Sequence, residues 1–251
     1  RKEPQQLASK SWETLYPLKT YVQSSADNVS WEGTFKGENA PVFPHKMKDI
    51  YKNDPVSLRS TPYGNTLTLD FAEAAVNGYD LGNGSATDFL TINCASTDYV
   101  GHKYGPNSIE VEDTYLRLDK DLSAFFRFLD KKVGKGNYLV FLTADHGAAH
   151  AVGFMQEHNI PAGFVEDKRI LSELNTLLEA RFGVKKLVRS LMNYHVNYNL
   201  EEIASAKLDY DHIKKETVKF LLKQPGIQFA ADIENIGSSP VPEPVKSMIV
   251  N

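Results

Sequence analysis

The chain has 251 residues and a formal net charge of −4, with 28 Lys and Arg against 32 Asp and Glu. Its 41% hydrophobic, 24% charged and 11% aromatic residues are globular proportions, which excludes disordered, collagen-like and disulfide-scaffold classes. No apolar run reaches the roughly 18 to 20 residues of a membrane span, and no Lys/Arg cluster offers the positive surface that a nucleic-acid backbone needs.

The opening RKEPQQ has no initiator methionine and no signal-peptide pattern, so the chain reads as a mature secreted protein or as a piece of a longer one. Residues 1–66 are rich in Pro, Gly, Ser and Asn, which predicts irregular chain with short strands. Trp12, Tyr16, Tyr21, Trp31 and Phe35 within it need a core to bury against. From Leu67, the spacing of Leu69, Ala72, Ala75, Val76 and Tyr79 predicts a helix ended by Gly82, Asn83 and Gly84.

DFLTINCAS (88–96) is an apolar run without alternation, the pattern of a strand buried on both faces of a parallel sheet. A long amphipathic helix follows, with Ser108 as N-cap, Glu110 and Glu112 in its first turn, Lys131 and Lys132 in its last, and Gly134 beyond. Val111, Tyr115, Leu118, Leu122, Phe125, Phe126 and Leu129 form its apolar face. NYLVFLTADHG (137–147) repeats the strand pattern, so strand, helix and strand make a βαβ unit.

The later chain reads as helix (166–183), strands (185–192 and 193–200), helix (209–226) and strand (227–235), a small antiparallel sheet with two helices on one face. The predicted organisation is an α/β core over 1–157, a small α+β insertion over 158–240 and an extended Pro-rich tail over 241–251. Ligands of open α/β sheets gather beyond the carboxyl ends of the strands. Both loops at that end carry polar constellations.

The first constellation is STDYVGHKYGP, where three residues including Gly101 separate Asp98 from His102, so a carboxylate and an imidazole can fold round onto one point. The second is TADHGAAH, with Asp145 beside His146. Two hard oxygens and two imidazole nitrogens without thiolate suit zinc first, then manganese or iron. Asp98, His102, Asp145 and His146 are therefore the metal candidates. His150 reads as a supporting or surface group, and His45, His158, His195 and His212 as loop or half-exposed residues. Cys94 reads as an inert small hydrophobe, and Phe125, Phe126 and Phe128 as core packing.

STDYVGH, NSIEVEDTYLRLDKDL and NYLVFLTADHGAA together resemble the metal-binding half of the phosphodiesterase-type alkaline phosphatases. These belong to the alkaline phosphatase superfamily, alongside the nucleotide pyrophosphatase/phosphodiesterases. The likeness runs through about residues 10–150 and is nearest to the bacterial monoesterase type with a threonine nucleophile. It implies the superfamily fold, a mixed and largely parallel sheet flanked by helices, present here in part. It implies a two-zinc site for small phosphate esters, with Asp98 and His102 on one zinc and Asp145 and His146 on the other. Export to the periplasm is a further implication. The family's early Asp, its Thr or Ser nucleophile, its phosphate-binding Lys and Arg and its late third His find no match here. The expectation is thus an internal piece of a longer hydrolase, weak in metal affinity and inactive alone, with a phosphodiesterase or a non-catalytic module as the other readings.

Overall fold

Pro62 sets the first turn of helix α1, Pro62–Gly78, because its fixed φ suits a position whose N–H has no helical partner. In the computed structural model, which describes residues 4–250, this helix buries Leu69, Ala72 and Val76, in line with their spacing, and starts at Pro62 rather than Leu67. Beyond its end Gly82 adopts φ +83°, where its bare backbone packs against Val133.

Helix α2, Ser96–Tyr104, occupies what the sequence suggested was a loop. Helix α3, Ile109–Leu129, begins as expected: Val111 N–H donates to the Ser108 hydroxyl at 3.2 Å, with Glu110 and Glu112 in the first turn. A π-helical turn, Asp130–Gly134, continues it. Helix α1 packs on α3, and α2 packs on both.

The chain divides into two compact units, Arg1–Ala162 and Gly163–Asn251. In the first, Trp12, Tyr21 and Phe35 of the N-terminal stretch are buried in a core as expected, while Trp31 is only half-buried and Tyr16 is 43% exposed. Trp12, Phe35, Met47 and Ile50 bury with Val100, Tyr104 and Val111, and Trp12 bridges His45 through the backbone. Asp113 of α3, fully buried, accepts from Trp12 Nε1 at 2.7 Å, from the Tyr21 hydroxyl at 2.6 Å and from Leu15 N–H at 2.6 Å. Leu69, Ala72 and Phe125 form a second cluster with Ile92, Cys94, Leu122 and Phe126. The phenylalanines at 125, 126 and 128 are therefore packing residues, as read from sequence.

The two apolar runs expected to be parallel strands carry no strand ladder among the described residues. Phe89 is 88% exposed and Leu142 is 84% exposed, where the βαβ pattern required burial. The pattern reports what a segment can bury. A strand also needs neighbours to take its N–H and C=O groups, and neither run has such a partner here. Among the described residues the helical layer of the α/β core is formed and the parallel sheet is not, so the fold is present in part.

Helix α4, Val152–Glu157, closes the first unit. In the second, helix α5, Asp167–Phe182, ends at Gly183 in the left-handed conformation. Strands β1, Val188–Met192, and β2, His195–Tyr198, pair antiparallel, with Leu191 opposite Val196 and an irregularity between Val188 and Ser190. Asn193 and Tyr194 both take positive φ, as a two-residue hairpin turn requires. Helices α6, Leu200–Ser205, and α7, Tyr210–Leu221, cover the hairpin, burying Ile203 and Ile213 with Leu174, Leu178, Leu187 and Val188.

Two expectations fail in this unit. Residues 227–235 form no strand, and a 3-10 turn, Ile233–Ser238, takes up their end because Asp232 caps it by accepting from Glu234 N–H at 3.2 Å. The stretch read as an extended tail holds helix α8, Val245–Val250, and a buried Val241. No helix among the described residues is long and apolar enough to cross a membrane.

Candidate metal centre

Asp98 lies in the first turn of α2 and His102 one turn on, so the helix itself brings them to one face at i, i+4. His102 Nε2 stands 3.3 Å from Asp98 Oδ1. Gly101 is not what makes this possible, since a Cβ there would meet nothing within 4 Å. Helical geometry does the work that the sequence suggested a glycine turn would do.

Asp145 and His146 follow the second apolar run and come to the same place. His146 Nε2 lies 3.5 Å from Asp145 Oδ2 and 3.8 Å from Asp98 Oδ1. The His146 Nδ1–H donates to the Gly147 carbonyl at 2.8 Å, which fixes the tautomer and leaves Nε2 facing the carboxylates. That hydrogen bond, then the charges of Asp145 and Asp98, raise the His146 pKa above its ordinary value. Asp98 is thus the shared neighbour of both histidines.

All four side chains are well exposed, from 46% at Asp98 to 86% at Asp145. Their donor atoms do not close into a single tight group. Among the described residues the one set of three or more such groups with all donor atoms within 4.8 Å is Asp211, Asp232 and Glu234. There the Lys214 ammonium already serves as the cation, 3.0 Å from Asp211 and 2.8 Å from Asp232 and bonded also to Glu234. Hydrogen bonds to Asp232 and Glu234 hold that lysine well above the usual range. It is an ion-paired staple of the second unit.

The four candidates nonetheless fit a divalent cation by chemistry. Two carboxylates and two imidazoles, one with a pre-set tautomer and all four exposed, are a zinc-type donor set.

The remaining histidines divide differently from expectation. His45 lies outside any helix or strand ladder, as expected, but is fully buried rather than half-exposed: Nδ1 lies 2.9 Å from Glu38 and Nε2 3.2 Å from Glu110, so both nitrogens donate to carboxylates. Burial opposes its charge, yet the bonds to Glu110 and Glu38 outweigh it and raise its pKa to about 9. His150 donates to Asn107 Oδ1 at 2.7 Å and stacks on Phe154, apart from the four candidates. Burial pushes the Cys94 thiol up, with the Asp121 charge adding to it, consistent with an inert residue. Sequence reading missed Arg59, whose guanidinium stands 4.4 Å from the centre of the Tyr99 ring beside Asp98. No local motif marks it, because the contact crosses between elements.

The sequence pattern of the family described as type I phosphodiesterase / nucleotide pyrophosphatase matches residues 5–245. The alkaline phosphatase PafA of Elizabethkingia meningoseptica is 50% identical over 250 residues, covering 99% of this chain and 45% of that protein. The alkaline phosphatase PhoV of Synechococcus elongatus is 45% identical over 248 residues, covering 99% of this chain and 44% of that protein. The crystal structure of wild-type PafA superposes with a TM-score of 0.93 at 48% identity, over 98% of this chain and 47% of that one. The chain spans about half the length of the curated relatives it matches, and the likeness extends through the second unit, well past residue 150.

Proposed function

We propose, from the premise that this chain belongs to the type I phosphodiesterase / nucleotide pyrophosphatase family, that it carries one side of a two-zinc centre for phosphate monoester hydrolysis. The observation that carries the reading is the approach of His146 to Asp98 at 3.8 Å, which joins two motifs 48 positions apart (146 − 98) in one exposed patch. Two relatives at 45% and 50% identity bear the name alkaline phosphatase, which favours a monoester substrate.

In this reading Asp98 and His102 hold one zinc and Asp145 and His146 the other. A pair of such cations supplies Lewis-acid charge to the attacking and departing oxygens of an in-line displacement. The chain's own part is to present four donors with little rearrangement. Helix α2 fixes the first pair, and the Gly147 carbonyl orients the His146 ring. Two protein ligands per metal fall short of the about three that catalytic zinc ordinarily has. The nucleophile and the remaining ligands belong to sequence that this chain does not match, so we propose that the 251-residue chain alone does not turn over phosphate esters. The apolar runs within 88–96 and 137–147 would complete their ladders in a full-length member of the family.

The test is a pair of assays on a full-length family member carrying these 251 residues, with an aryl phosphate monoester and the corresponding diester. The monoester reading expects the higher kcat/KM on the monoester, and expects His146→Ala to lower it by at least about a hundredfold, since the residue supports transition-state charge. The family's own description favours a second reading, a phosphodiesterase. A diester preference would establish that one instead.

A further inference from the structure

We infer that Asn65 is a positioning residue for the Asp98 and His102 pair, acting through the start of α2. The inference rests on the metal-binding reading above.

Helix α2 begins without a cap of its own. Ala95 stands at the cap position in right-handed helical conformation and has no side-chain oxygen to offer. The missing acceptor comes from another helix. Asn65 of α1 is 1% exposed, and its Oδ1 accepts from Ser96 N–H at 3.2 Å. Its Nδ2 donates to the Thr97 hydroxyl at 3.0 Å, and that hydroxyl donates in turn to the Cys94 carbonyl at 3.1 Å. One amide therefore ties together the end of the first apolar run and the first turn of the helix that carries both metal candidates.

A buried amide is costly unless both of its ends are used. Here one end accepts and the other donates, a division that neither a carboxylate nor an apolar residue reproduces. The neighbouring residue sets the distance. A Cβ at Gly64 would lie 2.0 Å from the Ser96 hydroxyl oxygen, so α1 and α2 meet at a separation that only glycine allows. Asp98 follows Ser96 by two positions and His102 lies one turn further on. A shift or fraying of the first turn of α2 moves the carboxylate that stands between the two histidines at 3.3 and 3.8 Å. Nothing in the helix propensity of α1 asks for an asparagine, which is a poor residue for a helix interior.

The experiment uses the 251-residue chain and reads two quantities: amide exchange along 94–104, without metal, and zinc affinity by chelator competition. Asn65→Leu should raise exchange at 96–99 while exchange along α3 stays as in the parent. It should also weaken zinc binding about tenfold, at the lower end of what loss of a ligand-supporting group costs. Asn65→Asp, which keeps the acceptor for Ser96 N–H but loses the Nδ2 donor to Thr97, should recover only part of both. Unchanged exchange at 96–99 in Asn65→Leu overturns the inference, as does parental zinc affinity in that folded variant. If the parent binds no zinc, the metal reading fails and exchange alone decides the positioning role. If Asn65→Leu does not fold, Thr97→Val, which removes the partner of Nδ2 together with that hydroxyl's bond to the Cys94 carbonyl, takes its place with the same two outcomes.

Discussion

Asp98 Oδ1 stands 3.8 Å from His146 Nε2, and the two residues come from segments separated by the whole of helix α3. Each motif alone is a common local pairing. Their convergence turns them into one candidate centre, with Asp98 as the group that both histidines face. Asp98→Ala should therefore weaken zinc binding to the chain more than Asp145→Ala, whose carboxylate is near one histidine only. Calorimetric zinc titration of the two variants checks the order, and equal losses would contradict the shared role.

A second prediction concerns alkaline pH. Burial pushes Glu32 up to about 9, with Glu110 and Asp27 adding repulsion, so the native protein keeps it neutral while the unfolded chain ionises near an ordinary carboxyl value. A raised folded pKa means stability present below the unfolded value and lost as pH climbs through about 9. His45, raised to about 9, behaves alike: its contribution is complete below the ordinary imidazole range and declines through the same region. The melting temperature should fall between pH 6 and pH 10, and Glu32→Gln, which mimics the neutral acid, should flatten that decline. A slope identical to the parent's would show that Glu32 is already charged in the folded state.

The carboxylate of Asp113 organises the N-terminal stretch. Besides its bonds to Trp12, Leu15 and Tyr21, it accepts from Arg117 Nε at 2.6 Å. Burial and the bond to Asp113 push the Tyr21 hydroxyl up to about 12. Asp113→Ala strands these buried donors and should cost at least about 3 kcal/mol, as loss of one member of a buried charged network does. Ser108→Ala at the cap of α3 should cost about 1 kcal/mol by comparison. Urea unfolding distinguishes the two. A loss below that of the cap variant would mean that Asp113 is not the organising acceptor.

How much of this was legible in the sequence depends on what kind of partner each residue needs. Helix α3, its Ser108 cap and the buried Leu69, Ala72 and Val76 could be read because their determinants lie within a turn or two of one another. The four metal candidates could be read as two local pairs. What could not be read is what crosses the fold. The Asn65 bond to Ser96, the burial of His45 between Glu38 and Glu110, and the Asp113 network all join residues far apart in sequence. The α2 helix was hidden because Gly101 and the polar string around it look like a loop, although the i, i+4 geometry is what pairs Asp98 with His102. The apolar runs failed in the other direction. Their composition is that of buried strands, but among the described residues no ladder partner pairs with them.

Those runs give a prediction of their own. Leu142 is 84% exposed, so Leu142→Ser in the 251-residue chain should change stability by no more than about 0.5 kcal/mol, the range for exposed sites, while lowering self-association. The same substitution in a full-length family member should be destabilising by about 2 kcal/mol or more, because there the run would be buried. Light scattering and chemical unfolding on both proteins check the contrast. A neutral effect in the longer protein would leave the run without a sheet to join.

The central claim, that Asp98, His102, Asp145 and His146 are metal ligands, is tested most directly by zinc-edge anomalous scattering from crystals of the chain soaked in zinc. The account predicts anomalous peaks within bonding distance of the Asp98/His102 and Asp145/His146 pairs, lost in the His102→Ala and His146→Ala variants respectively. Zinc bound elsewhere, or no peak at either pair under saturating zinc, would contradict it.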